Sequence, residues 1–110
     1  MTAAPKSHHD VFQAIADPTR REVLYLLRTG EMPVKAISEQ FPISRTAVSK
    51  HLSILADAGL VKDRKVGRET RYRLHMEPLS ELTEWLSYFE LFWDNKLDKL
   101  RYIVEKNEES

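Results

Sequence analysis

Polar side chains in residues 44 to 53 have the chemistry needed to contact a nucleic acid. Short hydroxyl groups and two long cations alternate there with apolar residues at helical spacing. A helix that approaches base edges and phosphates in the major groove of DNA needs this mixture of donors. The set comprises Ser44, Arg45, Thr46, Ser49, Lys50 and Ser53. We expect Arg45 to contact a base, preferably guanine, and Lys50 and Ser44 to contact the DNA backbone.

A basic hairpin is predicted directly after this helix, in residues 61 to 74. Its residues alternate in character, and Gly67 permits a turn between the two strands. Four of its cations are candidates for phosphate or minor-groove contacts, namely Arg68, Arg71, Arg64 and Lys65. A solvated helix face or a basic hairpin can also occur without a ligand, but their direct succession favours a DNA-binding surface.

Charge is distributed unevenly along a chain that has no net charge. The 110 residues contain 17 basic and 17 acidic side chains. Residues 44 to 75 hold eight basic and three acidic side chains, a net charge of +5, whereas residues 76 to 110 hold four and nine, a net charge of −5. A polyanion would be attracted to the first block and repelled by the second.

The sequence pattern predicts that these side chains are positioned by a mainly α fold with a small β-hairpin (α+β). This fold is a winged helix-turn-helix with a long C-terminal dimerisation helix. Asp17 and Ser44 are predicted to cap helices, with Pro18 opening the first of these and Gly59 closing the second. The predicted segments are a flexible arm at 1–8, a single domain at 9–110, a helix-turn-helix at about 33–58, a wing at about 61–74 and the C-terminal helix at about 78–105.

An apolar stripe runs along the last predicted helix, which opens at Pro78. At 1.5 Å per residue this helix is roughly 40 Å long, more than a small domain needs to cover its own core. We therefore expect part of the stripe to contact a second copy of the chain, while an aromatic small-molecule pocket is the alternative. The predicted dimerisation residues are Phe12, Leu82, Trp85, Leu86, Phe89, Phe92, Trp93, Leu97 and Leu100.

Several classes of function lack support in the sequence. There is no Gly-rich phosphate loop and no nucleophile elbow, and Ser49 and His51 lie two residues apart on one helix and cannot face each other, so we predict no enzyme and no cofactor. The chain has no Cys, and His51 has no ligand partner at helical spacing. No long apolar run or signal-peptide pattern occurs, which predicts a cytoplasmic protein without a membrane partner.

Four segments in fixed order resemble the ArsR/SmtB family of bacterial winged-helix repressors, over roughly residues 9 to 104. The aromatic helix that follows them is similar to the non-metal, autorepressor-like SdpR branch of that family. The carrying segments are Ala16–Arg21, Ile43–Leu52, Ala58–Val61 and Gly67–Tyr72. The resemblance implies a homodimer that binds a short palindromic operator in double-stranded DNA, represses transcription and releases the operator when an effector, which no residue identifies, appears.

Founding members of that family sense metals, and this sequence departs from their ligand pattern. No Cys lies near Val34 to Gln40, where their thiolate motif would fall, and no His follows His75. Oxygen ligands remain at Glu90, Asp94 and Asp98, but without imidazole or thiolate they suit soft metals poorly. We predict no bound metal. The alternatives are a metal sensor that uses these oxygen ligands and a winged-helix dimer whose basic face binds a protein partner.

Overall fold

A computed structural model describes residues 9 to 109 of the chain. The predicted flexible arm, residues 1 to 8, and with it His8, lies outside the described residues. Contacts divide the chain into two compact units, one that reaches Ser80 and one that starts at Glu81.

Helices come first in the first unit, and a small sheet completes it. In chain order its elements are α1 (Val11–Ala14), α2 (Pro18–Leu27), β1 (Met32–Pro33), α3 (Val34–Ser38), α4 (Arg45–Asp57), β2 (Val61–Val66), β3 (Glu69–Leu74) and a 3₁₀ turn (Glu77–Leu79). The predicted mainly α fold with a small β element is confirmed by this order. The helix α3 is short, with five residues, and it ends at Ser38.

Side-chain caps explain where the two longest helices of the first unit begin. The Asp17 carboxylate accepts a hydrogen bond from the Arg20 N–H at 3.1 Å, and Pro18 occupies the first turn of α2. The Ser44 hydroxyl accepts a hydrogen bond from the Ala47 N–H at 3.1 Å and caps α4. Both caps had been predicted from the residue types, and the structure confirms both.

Three antiparallel strands form the sheet, in the order β1-β3-β2. The predicted hairpin is β2 and β3, whose register pairs Arg64 with Arg71 and Val66 with Glu69. Gly67 takes a φ of 61° in the connecting turn, a conformation that favours glycine. The strand β1 was not predicted, because two residues that include Pro33 give no alternating pattern.

A single apolar core holds the first unit together. On α4, Val48, Leu52 and Leu55 are buried at intervals of four and three residues, the spacing of one helical face. The core comprises Val11, Ala14, Val23, Leu27, Val34, Ile37, Val48, Leu52, Leu55, Leu60 and Val61. The helix α4 and the start of the hairpin are therefore fixed by the same packing.

The second unit contains most of α5 (Ser80–Ser87) and all of α6 (Glu90–Glu109). The long C-terminal helix is confirmed, but the predicted span from Pro78 to residue 105 is interrupted at Tyr88 and Phe89. Their N–H groups donate to carbonyls three residues earlier, and the Ser87 hydroxyl donates to the Glu84 carbonyl oxygen. Serine competes in this way with helical bonding, and aromatic residues have modest helix propensity, which explains the break.

Predicted dimerisation side chains are at least partly exposed in this single chain. Leu82 is half-buried, and Trp93 keeps 56% of its surface exposed. Exposed large apolar side chains of the second unit also include Trp85, Leu86, Phe89, Phe92, Leu97 and Leu100, and in the first unit Phe12 is exposed as well. The rings of Trp85 and Phe89 lie edge to face with centroids 5.1 Å apart.

Candidate nucleic-acid interface

The helix α4 presents one polar face to solvent. All of the polar residues predicted for DNA contact on this helix are exposed, namely Ser44, Arg45, Thr46, Ser49, Lys50 and Ser53. The opposite face is buried through Val48, Leu52 and Leu55. The side chains of Arg45 and Lys50 form no ion pair with any residue from 9 to 109, so both cations are available to an external anion.

A polar contact ties α4 to the preceding helices. The Arg20 guanidinium donates through Nε to the Ala14 carbonyl oxygen at 2.7 Å and places Nη1 3.3 Å from Nδ1 of His51. The Arg20 guanidinium has only donors, so Nδ1 of His51 is the acceptor in this contact. His51 therefore connects α4 to the N-terminal end of α2.

The hairpin β2–β3 carries its tip residue, Arg68, in an exposed position beside Gly67. Lys65 is also exposed, and its cross-strand partner is Thr70. Neither Lys65 nor Arg68 forms an ion pair with the part of the chain that the structure describes. These two predicted wing cations are therefore free of internal counter-ions.

The other two predicted wing cations, Arg64 and Arg71, have acidic partners within the chain. Glu31 accepts from Arg64 Nε and Nη2, both at 2.8 Å, and from Arg71 Nε at 3.1 Å. Arg71 Nη1 also donates to Glu69 at 3.0 Å. The hydrogen bond and charge of Arg64 hold the pKa of Glu31 below its ordinary value, and Glu31 in turn raises the pKa of Arg64.

A small surface cavity joins the start of α4 to the tip of the hairpin. Its volume is about 110 Å³, and its charged lining residues are three cations, Lys35, Arg45 and Arg68, and one acid, Glu69. Lys35 was not predicted as a contact residue, because the basic block counted in the sequence began at residue 44. Its place inside the predicted helix-turn-helix, at about 33–58, was the sequence signal that could have indicated it. In the structure Lys35 is exposed on α3.

A larger cavity, of about 540 Å³, lies at the other end of α4. It is lined by His9, Ser53, Ile54, Ala56 and Asp57. The Asp57 carboxylate lies 2.7 Å from the His9 backbone nitrogen and 2.9 Å from its Nδ1. His9 is therefore anchored to the C-terminal part of α4. Ser53 borders this cavity, whereas Arg45 borders the cationic one.

The described residues offer neither a cluster of metal ligands nor a membrane-spanning helix. Within residues 9 to 109, no three His, Asp or Glu side chains are grouped so that they could hold a metal ion. The oxygen ligands considered for a metal sensor, Glu90, Asp94 and Asp98, lie on α6. In the same described range, no helix combines the length and apolar character that a membrane span requires.

Comparisons with known proteins agree with this geometry. Residues 17 to 63 match the family model described as "Bacterial regulatory protein, arsR family". The chain is 39% identical over 89 residues to the transcriptional repressor SdpR of Bacillus subtilis, which covers 81% of this chain and 99% of that protein. In Mycobacterium tuberculosis, the HTH-type transcriptional regulator Rv2034 is 34% identical over 100 residues, 91% of each chain.

Solved structures show the same fold. A crystal structure of a possible transcriptional regulator for arsenical resistance has a TM-score of 0.67 at 42% identity and covers 84% of this chain and 93% of its own. An NMR structure of a homodimeric winged helix-turn-helix domain from Mycobacterium bovis has a TM-score of 0.57 at 31% identity and covers 70% and 71%. These likenesses confirm the predicted winged helix-turn-helix. The chain belongs to the arsR family of bacterial regulatory proteins, and it is a DNA-binding transcriptional regulator and not an enzyme.

Proposed function

We propose that this protein is a homodimeric repressor that binds a palindromic operator without a bound metal. The observation that carries the proposal is the continuity between the polar face of α4 and the hairpin tip. Arg45 and Arg68 line one cationic cavity, so the recognition helix and the wing present a single surface to DNA. The homodimeric relative from Mycobacterium bovis and the repressor SdpR support the dimer and the repression, respectively.

Different parts of this surface have different tasks in the proposal. Arg45, at the first turn of α4, contacts a base edge, and guanine offers the bidentate acceptor pair that a guanidinium prefers. Thr46 and Ser49 contact bases or phosphates, while Ser44 and Lys50 hold the backbone. Arg68 at the hairpin tip contacts phosphates near the minor groove, where it adds affinity without reading sequence.

The second unit supplies the surface for association. Its exposed stripe on α5 and α6 includes Trp85, Phe92 and Trp93, whose rings are costly to leave in water. A second copy of the chain covers this stripe in the proposal, and the dimer places two α4 helices at successive major grooves. Regulation without metal is supported by the chemistry of the donors, because the chain has no thiolate and α6 offers only oxygen ligands.

Selection of bound fragments from a random DNA pool tests the proposal directly. A dimer of winged helices should enrich a palindrome whose half-sites lie about one helical turn apart, ~34 Å. A pool that enriches no sequence would instead indicate that the basic face recognises a protein partner.

Two variants then separate sequence recognition from backbone affinity. Arg45→Gln should relax the preference for one base pair by roughly 1–3 kcal/mol, since a bidentate contact is lost. Arg68→Gln should weaken binding to all sequences similarly and reduce the dependence on salt. Both are measured by fluorescence anisotropy on operator and on scrambled DNA. If both variants bind the operator as tightly as the wild type, the proposed DNA-contacting face is wrong.

A further inference from the structure

Two arginines face each other across the hairpin β2–β3. Arg64 and Arg71 are direct register partners, so their side chains project from the same face of the sheet. Lys62 and Arg73 form the neighbouring pair on that face. Like charges directly opposite each other destabilise a strand pair, so this face needs a counter-ion to hold its shape.

Glu31 provides that counter-ion from outside the hairpin. It directly precedes β1, which pairs with β3 through Met32 and Tyr72. Its carboxylate engages Arg64 with two hydrogen bonds of 2.8 Å and Arg71 with one of 3.1 Å. The Glu31 side chain is only 21% exposed, although the Arg64 side chain around it is 61% exposed. The carboxylate is therefore partly shielded from competing water and salt.

The bidentate contact between Arg64 and Glu31 occupies the N–H groups that Arg64 would donate to a phosphate. A guanidinium binds a phosphate best through two parallel N–H groups, and Glu31 already accepts from Nε and Nη2 of Arg64. Arg71 is committed twice, to Glu31 and to Glu69. These four side chains carry two positive and two negative charges, so the network is neutral. Lys65 and Arg68, by contrast, have no ion pair among residues 9 to 109.

We propose that Glu31 is a positioning residue that keeps Arg64 and Arg71 in an internal ion-pair network, so that the wing contacts DNA phosphates through Lys65 and Arg68. The inference rests on the proposed function, and it changes the predicted role of Arg64 and Arg71 from DNA contact to support of the hairpin. It also makes Glu31 a determinant of how many phosphates each chain neutralises.

Salt titration of DNA binding tests this role, because each phosphate contact contributes about 0.9 to the slope of log affinity against log salt. In Glu31→Gln the amide no longer holds Arg64, so the slope should steepen by about 0.9 per bound chain and binding at low salt should tighten. Arg71 remains paired with Glu69. The matched control is Asp63→Asn, which also removes one negative charge. Asp63 is an exposed residue of β2 and forms no ion pair among the described residues, so this change should leave the slope unchanged.

Arginine variants complete the test. Arg64→Gln alone should leave the slope at the wild-type value, whereas Arg68→Gln should make it shallower by about 0.9 per bound chain. The double variant Glu31→Gln/Arg64→Gln should restore the wild-type slope. If Glu31→Gln acted only by making the hairpin less ordered, removing Arg64 as well would not restore the slope. Thermal unfolding of each variant verifies that it is folded.

Two results would overturn the inference while leaving the proposed function intact. One is a shallower slope for Arg64→Gln in the wild-type background, because Arg64 would then already contact a phosphate. The other is an unchanged or shallower slope for Glu31→Gln in a folded protein. A wild-type protein that shows no salt-dependent DNA binding would remove the proposed function and this inference together.

Discussion

The two units of the chain treat their apolar side chains in opposite ways. Within residues 9 to 109, every fully buried apolar side chain belongs to the first unit, where Leu52 and Leu55 lie at the centre of the core. Helices α5 and α6 have no fully buried side chain among the described residues: Leu82 is half-buried, and Trp85 and Trp93 are exposed. Amphipathic helices without such packing are marginal in water. The first unit is thus stabilised by its own core, whereas the stripe of the second unit is the surface that we propose a second copy of the chain covers.

The largest expected effect is a loss of folding stability in the first unit. Leu52→Ala removes a side chain with no exposed surface and should destabilise the protein by about 2–5 kcal/mol, as buried leucines do when truncated. Leu97→Ala is the matched change in the second unit, where the same side chain is exposed. Urea unfolding at several protein concentrations measures both. Equal, concentration-independent losses for the two variants would contradict the contrast between the units.

The next effect concerns association and not folding. Trp93→Ala should weaken the dimer by about 2 kcal/mol, or roughly thirtyfold, because aromatic anchors dominate the energy of protein interfaces. Sedimentation equilibrium gives the dissociation constant. Tyr25→Ala is the control, since Tyr25 is an aromatic residue of the first unit that is 63% exposed. A dimer weakened equally by both changes would mean that the second unit has no special part in association.

The smallest effect is on the pH dependence of the first unit. The pKa of Glu31 in the folded chain lies below its ordinary value of 4.5, chiefly because of Arg64. Its contribution to stability is therefore complete above that ordinary value and is lost as the pH falls through the lowered folded pKa. Thermal midpoints measured between neutral and strongly acidic pH should fall more steeply for the wild type than for Glu31→Gln.

Asp17 sets the background of that pH experiment. Burial raises the pKa of its carboxyl, but hydrogen bonds from the Arg20 and Thr19 backbone N–H groups outweigh this effect and lower it. The cap is present in the wild type and in Glu31→Gln, so it cancels in the difference between them. Identical acid profiles for the two proteins would show that the Glu31 network adds nothing to the stability of the first unit.

Local features of the fold could be predicted from the sequence because their causes are local. The start of α2 is defined by the Asp17 cap and Pro18. The start of α4 is defined by the Ser44 cap, and Gly59 follows its end with a positive φ. The break at Tyr88 and Phe89 was missed, since the apolar stripe continues through it and the stripe was the only signal used. The two-residue strand β1 was missed because it is defined by its pairing with β3, and its own residues show no strand pattern.

The division of labour among the wing cations was not visible in the sequence for a different reason. Glu31 lies 33 positions before Arg64 and 40 before Arg71, so only the folded sheet brings them together. All four wing cations were predicted as contacts, because a charge count within one block does not show which of them has an acidic partner elsewhere in the chain. Residue type and spacing identified the basic hairpin, but tertiary pairing decides which of its charges face outward unpaired.

The order of the strands has a consequence for solubility. Each outer strand of a sheet exposes backbone groups that could pair with another molecule. On one side, β1 is only two residues long and includes Pro33, which has no N–H to donate. On the other side, β2 carries four consecutive charged residues, Lys62 to Lys65. These charged side chains, paired or unpaired, also protect the open edge of β2 from joining a growing β-aggregate.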